Sequence, residues 1–161
     1  METINEGLKN IELLKGCRHY IFKNVHNMSK ESLLKVPHSF KNNILWNIGH
    51  IIASQQILNY TLSGVTPRVD DQFLSYFRKG SSPEKWSPDN YQPDIDQILH
   101  LLQETPVMLE EDYNNNLFTN FKPYTTTAGS KLNDILDSMT YNQYHEGIHT
   151  GWILALKKLV E

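Results

Sequence analysis

The sequence contains one cysteine, Cys17, among 161 residues. A single thiol cannot form an internal disulfide, and such a composition fits a reducing compartment. No apolar run approaches the roughly 18 residues that a membrane-spanning helix requires. The opening METINEGLKN also lacks the basic and apolar regions of a secretory signal peptide. We therefore expect one domain over residues 1–161, cytoplasmic and without a membrane partner.

An excess of charge of either sign is also missing. The 15 Lys and Arg residues nearly balance the 18 Asp and Glu residues, which gives a formal net charge of −3. The basic residues are dispersed and are not interleaved with aromatic residues, as they are on surfaces that follow a phosphate backbone. We therefore expect no nucleic-acid partner.

No segment alternates between apolar and polar residues with the period of two that is typical of strands. Apolar residues instead recur at spacings of three and four, which is the pattern of amphipathic helices. Four long stretches show this pattern, and we expect Pro106 to kink or end the third. The stretches cover about residues 3–25, 40–62, 93–117 and 131–159. They predict an all-α fold, a four-helix bundle.

A long connection separates the second predicted helix from the third. It covers residues 65–91 and is rich in proline and serine, with one short apolar piece at 73–77 that predicts a helical turn or two. Crossovers of this length are uncommon unless they serve a purpose such as lining a site. We expect this crossover to cover one end of the bundle near the second helix. The segments at 29–32 and 118–130 are predicted to be a turn and a loop.

Two histidines, His145 and His149, lie four residues apart on the apolar stripe of the last predicted helix. With Glu146 they form a literal H-E-x-x-H, the motif of zinc metalloproteases. The extended form of that motif would place a glycine and a third histidine at the positions of Trp152 and Ala155. No acid follows at a suitable distance either, because the chain ends at Glu161. A protease is therefore disfavoured.

The best third ligand is His50, which lies between isoleucines in the second predicted helix. Three neutral imidazoles from two helices leave one position open, as in a catalytic or ligand-binding metal site. The alternative is that these are core histidines whose nitrogens are satisfied by ordinary hydrogen bonds. Gly49, Gly147 and Gly151 stand near them, each costing about 1 kcal/mol in a helix, and such glycines often permit a close approach.

Several neighbours are candidates for supporting roles. Glu146 could act as a general base or as an outer partner of the site. Asn47 and Asn142 are polar groups on apolar stripes, so they could anchor the second nitrogens of metal-bound histidines. Trp46 and Trp152 lie one turn from predicted ligands and are expected to form a pocket wall or core. The remaining candidates are expected to be solvated or structural, namely His19, His26, His38, His100 and Cys17.

The segments W-N-I-G-H-I, residues 46–51, and H-E-G-I-H-T-G, residues 145–151, resemble the DinB/YfiT-like family. The resemblance covers most of the chain and implies a four-helix bundle with a long crossover. It also implies a divalent metal, zinc or nickel, bound by His50, His145 and His149. Family members are frequently homodimers, and some transfer low-molecular-weight thiols to small-molecule substrates or isomerise substrates with a thiol cofactor.

An open metal site of this kind has more than one use. The cation can lower the pKa of a bound thiol or of a bound water and so produce a nucleophile at neutral pH. A thiol as cosubstrate predicts a transferase, which the resemblance favours. A water predicts a hydrolase, and the residues themselves do not separate the two. A non-enzymatic metal-binding or stress-responsive protein is the third hypothesis.

Overall fold

A computed structural model describes residues 5–161, and over this range the chain is mainly helical, which confirms the predicted all-α fold. Two of the α-helices are short, and four are long. The helices are α1 (Glu6–Val25), α2 (Lys30–Leu34), α3 (Ile44–Gln55), α4 (Asp71–Phe77), α5 (Ile95–Asn114) and α6 (Ile135–Val160). A π-helical turn at Gln56–Tyr60 and a 3-10 turn at Thr61–Ser63 extend α3, and another 3-10 turn lies at Pro83–Lys85.

The four long helices pack around a shared core. Helix α1 contacts α5 and α6, and α3 contacts the same two helices from the other side. Their apolar stripes meet in a fully buried cluster that includes Ile21, Ile48, Leu102 and Ile153. Helices α1 and α6 run parallel, since the N-terminal part of one contacts the N-terminal part of the other and the C-terminal parts contact each other. Near their N-termini Gln143 donates to the carbonyl of Asn10, and near their C-termini Lys157 donates to that of Asn24.

The helix boundaries follow capping groups more than the apolar pattern. Asn43, Asp94 and Asp134 each accept a hydrogen bond from the backbone of the following turn, and α3, α5 and α6 begin directly after them. Helix α6 therefore starts at Ile135, later than predicted. The residues just before it pair with Tyr124–Thr125 in a short antiparallel hairpin.

Two other local predictions can be compared with the structure, and each is wrong at least in part. Pro106 does not end α5, which continues through it to Asn114. The predicted turn at 29–32 is the start of α2, because Ser29 caps that helix through its side chain. The predicted start of the first helix at residue 3 lies outside the described residues. Within residues 5–161, none of the helices is both long and apolar enough to cross a membrane.

The crossover contains the predicted helical turns as α4, and this short helix packs against α3. The Phe77 ring lies directly against Gly49, where an added Cβ atom would collide with its ring carbons. Gly147 and Gly151 face open space, since a Cβ atom added to either would have no neighbour within 4 Å. A close approach therefore explains Gly49 and not the two glycines of α6.

Replacement of these glycines by alanine should have opposite effects. Gly49→Ala should destabilise the fold by about 1–3 kcal/mol, because the new methyl group collides with the buried Phe77 ring. Gly147→Ala should stabilise it by up to about 1 kcal/mol, because alanine favours the helix and meets no neighbour. Urea unfolding measures both changes. Two shifts of the same sign would contradict this account of Gly49.

Candidate metal centre

The three predicted ligands, His50, His145 and His149, converge between α3 and α6. One ligand atom from each histidine lies within 4.8 Å of the other two. The ring centroids are 4.6 Å apart for His145 and His149, 4.6 Å for His50 and His149, and 5.1 Å for His50 and His145. The i, i+4 spacing on α6 and the packing of α3 against it produce this arrangement.

Two of the imidazoles are oriented by hydrogen bonds at Nδ1. His50 Nδ1 lies 2.6 Å from the carbonyl oxygen of Phe77, which can only accept. This carbonyl is free because Phe77 is the last residue of α4 and has no acceptor role within the helix. His50 therefore carries its proton on Nδ1 and leaves the lone pair of Nε2 for another partner.

His149 is held in the same manner by Asn47. The amide nitrogen of Asn47 donates to the carbonyl of Asn43 at 2.8 Å, which directs Asn47 Oδ1 towards His149 Nδ1, also at 2.8 Å. His149 thus donates through Nδ1 and keeps the lone pair on Nε2. Metal-bound histidines commonly have such an anchor on the second nitrogen. Asn47 thus contacts a candidate ligand, and its role as the anchor of a metal-bound histidine stays a prediction.

His145 differs from the other two. Its Nδ1 atom is buried and has no hydrogen-bond partner among residues 5–161. An unsatisfied buried polar atom costs about 1–3 kcal/mol. A cation held by the cluster would give the His145 imidazole a partner that it otherwise lacks. Together with the two Nε2 lone pairs, this donor set fits a borderline-soft divalent metal such as zinc or nickel.

Burial keeps the cluster uncharged. It lowers the pKa of His145 to about 4, with smaller contributions from His50 and Arg18. It lowers the pKa of His149 to about 3, helped by the two neighbouring histidines. The pKa of His50 is lowered by burial too, although the bond to Phe77 opposes this. Neutral imidazole is the form that binds metal ions, so the cluster is poised for binding at neutral pH.

The two predicted pocket tryptophans lie in different environments. Trp46 stacks on His50, with ring centroids 4.6 Å apart and an interplanar angle of 11°, and its indole N–H donates to Ser81. It therefore covers one face of a candidate ligand. Trp152 is 47% exposed and contacts Phe40 edge-on. It lies on the outer surface of α6.

Glu146 points into the bundle and is only 1% exposed. Its two oxygens accept hydrogen bonds from Arg18, at 3.0 Å from Nε and 2.7 Å from Nη2. Asn142 donates to the same carboxylate at 3.4 Å and has no hydrogen bond to a histidine within residues 5–161, which differs from its predicted role. A general-base role for Glu146 stays a prediction, and its pairing with Arg18 argues against it.

Arg18 is the residue at this centre that sequence analysis missed. It is fully buried, and besides Glu146 it donates to the hydroxyl of Thr105 and to the carbonyl of Ile51, both at 3.0 Å. One guanidinium therefore joins α1, α3, α5 and α6. Its position on the apolar stripe of α1 was the available clue, because a buried arginine requires an acidic partner.

The remaining candidates lie away from the cluster. Cys17 is half-buried, contacts the hydroxyl of Thr150 at 3.3 Å, and has its pKa raised by burial, which disfavours a nucleophilic role. The other four histidines are exposed, as expected for solvated residues, namely His19, His26, His38 and His100.

The comparison with protein families agrees with this geometry. The family model of the DinB superfamily matches residues 13–153, a range that contains Arg18, Glu146 and all three clustered histidines. The chain belongs to the DinB superfamily. No curated protein matches it significantly.

The buried ion pair gives a stability prediction. Glu146→Gln should destabilise the fold by about 3–5 kcal/mol, because it leaves the Arg18 guanidinium buried without a countercharge. The double variant Arg18→Met, Glu146→Leu should lose much less, because both charges are removed together. The protein that remains folded should still bind metal, since the carboxylate is not a ligand. Urea unfolding and elemental analysis measure these outcomes.

A matched control is available in the pair of Lys15 and Glu110, whose side chains are about one-third exposed. Glu110→Gln should cost no more than about 1 kcal/mol, as is usual for exposed pairs. Equal losses for Glu146→Gln and Glu110→Gln would contradict the importance of the buried pair.

Proposed function

We propose that this protein is a metal-dependent transferase that moves a low-molecular-weight thiol onto an electrophilic small molecule. The observation that supports this most is the convergence of three neutral imidazoles, two of them held by Nδ1 bonds that keep the lone pair on Nε2. Thiol transfer is also an activity of some DinB/YfiT-like proteins, as the sequence resemblance implies.

In this proposal His50, His145 and His149 hold a divalent cation, zinc or nickel. The bound cation lowers the pKa of a thiol and so supplies a thiolate at neutral pH. Phe77 and Asn47 keep two of the imidazoles oriented and protonated on Nδ1. The pre-set orientation reduces the reorganisation that metal binding requires.

The pairing of Glu146 favours a thiol over water as the nucleophile. A hydrolase of the same layout usually needs a general base beside the attacking water. The acid nearest to the ligands along the chain is Glu146, and both of its oxygens are bonded to Arg18. A thiol needs less assistance, because its ordinary pKa of about 8.5 is far below that of water. The single thiol of Cys17 supports a reducing, cytoplasmic setting for this chemistry.

The proposal predicts that the purified protein carries about one divalent ion per chain. His149→Ala should lose most of it, because one of three ligands is removed. Elemental analysis measures this, and transfer of several thiols to a model electrophile such as a halogenated dinitrobenzene measures the activity. Chelation should abolish that activity, and zinc or nickel should restore it.

His100→Ala is the control, since His100 is exposed on α5, and it should keep full metal content. If His149→Ala retained full occupancy, the metal centre would be wrong. If metal binds and no thiol is transferred while an ester or amide is hydrolysed, the hydrolase hypothesis replaces the transferase. Metal binding without turnover of either kind supports a non-enzymatic metal-binding protein.

We also propose that the protein is a homodimer that associates through the outer face of α1 and α6. Between Met139 and Leu156 the only Asp, Glu, Lys or Arg residue is Glu146, which is buried, so this part of α6 shows solvent no carboxylate, lysine or arginine. Large apolar side chains of α1 and α6 are exposed. They are Leu13, Tyr20, Tyr144, Ile148, Trp152 and Leu159.

The size of this face suits a second copy of the chain. An aromatic side chain can bury about 150–250 Å², and Tyr20, Tyr144 and Trp152 are each about half exposed. These three side chains alone therefore offer about 300 Å². The three aliphatic side chains add a similar area, so the total lies at the upper end of the several hundred Å² that monomers usually expose, and polar residues around it would supply the remainder of the roughly 800 Å² per partner of a stable interface.

The charges at the ends of the two helices also favour self-association. Helices α1 and α6 are parallel, so their dipoles point the same way and add. A two-fold axis perpendicular to these helices reverses the helices of the partner, so the dipoles of the two copies oppose each other. It also brings the exposed Glu6 and Glu12 of one copy towards the end of the other copy that bears Lys23 and Lys158.

Leu13→Glu should convert the dimer to a monomer, because it places a charge in the centre of an apolar interface. Sedimentation at micromolar concentrations measures the change, and α-helical content should stay constant. Val107→Glu is the control, since Val107 is exposed on α5 outside this face. A wild-type protein that sediments as a monomer at high micromolar concentration would end the proposal.

A further inference from the structure

Ser54 lies one turn after His50 on α3, so the two side chains share a face of the helix. Its hydroxyl oxygen lies 3.4 Å from His50 Nε2. Because Nδ1 of His50 holds the proton and donates to Phe77, Nε2 offers only a lone pair. Ser54 is therefore the donor in this contact, and the contact is long enough to be weak.

This contact involves the nitrogen that the proposed metal centre uses. A cation bound to Nε2 takes the lone pair that Ser54 uses, so the hydroxyl proton must find another acceptor. The other end of the same helical face is closed, because Trp46 stacks on the His50 ring. Ser54 is only partly buried, so we expect its hydroxyl to be within reach of a ligand that enters from solvent.

We propose that Ser54 is a positioning residue for the ligand that completes the coordination shell, donating its O–H to an anionic oxygen, nitrogen or sulfur atom there. The inference rests on the proposed metal centre and adds a preference for anionic donors. A hydrogen bond to a charged group is stronger than one to a neutral group. A thiolate would thus gain more from Ser54 than a neutral competitor such as an amine or imidazole.

The test uses the full chain loaded with cobalt(II), whose visible absorption changes when a ligand enters the shell. Wild type and Ser54→Ala are titrated with azide, with 2-mercaptoethanol and with neutral imidazole. Ser54→Ala should bind cobalt as tightly as wild type or slightly more tightly, since the hydroxyl no longer competes for Nε2. Its azide and thiol dissociation constants should rise about tenfold, the size of one hydrogen bond to a charge. Imidazole affinity should stay the same.

Ser54→Thr keeps a hydroxyl and should restore most of the azide affinity, which a purely structural role of the side chain would not predict. Ser75→Ala, a change at an exposed serine of α4, is the matched control and should behave as wild type. Equal azide affinities for wild type and Ser54→Ala would overturn the role of Ser54 while leaving the metal centre intact. Loss of cobalt from Ser54→Ala would also overturn it. A wild-type protein that binds no cobalt would overturn the metal centre itself.

Discussion

The ion pair between Arg18 and Glu146 is the interaction on which the arrangement of the bundle depends. Two charges are removed from water and compensated by hydrogen bonds. Arg18 donates to Glu146 and to Thr105, and Glu146 also accepts from Asn142. Glu146 lies directly after one candidate ligand and three residues before the other. Fixing its carboxylate against Arg18 of α1 therefore fixes the rotation of α6, and the two histidines, which lie about 60–100° further around the helix, then face α3.

The orientation of His50, the candidate ligand on α3, depends on the crossover and on the lack of a side chain at Gly49. Gly49 allows the Phe77 ring to lie against the backbone of α3. That packing places the end of α4 beside His50, whose N–H group then binds the free carbonyl of Phe77. A glycine, an aromatic ring and a helix terminus thus orient one imidazole. The long connection is therefore part of the centre. It supplies no candidate ligand, but its Phe77 carbonyl accepts the hydrogen bond that orients His50.

The sequence predicted the features that depend on periodicity and spacing. The apolar stripes defined the long helices, and the four-residue spacing on α6 together with His50 identified the cluster. The features that depend on tertiary partners could not be obtained in this way. Whether Glu146 faces solvent or the core depends on Arg18, more than a hundred residues away. The partner of Asn142 and the starting point of α6 depend on contacts and caps that apolar periodicity does not encode.

The π-helical turn at Gln56–Tyr60 has a consequence for how α3 serves two neighbours. A π turn holds one more residue than a regular turn and so resets the rotational phase of the helix by about 100°. Upstream of it His50 faces α6, and at its last residue the hydroxyl of Tyr60 donates to Asp112 of α5. Removal of one residue from this turn would restore a regular helix and swing Tyr60 away from α5. The turn therefore separates the rotational phase of the helix around His50 from its phase around Tyr60, so each part can vary in sequence without rotating the other.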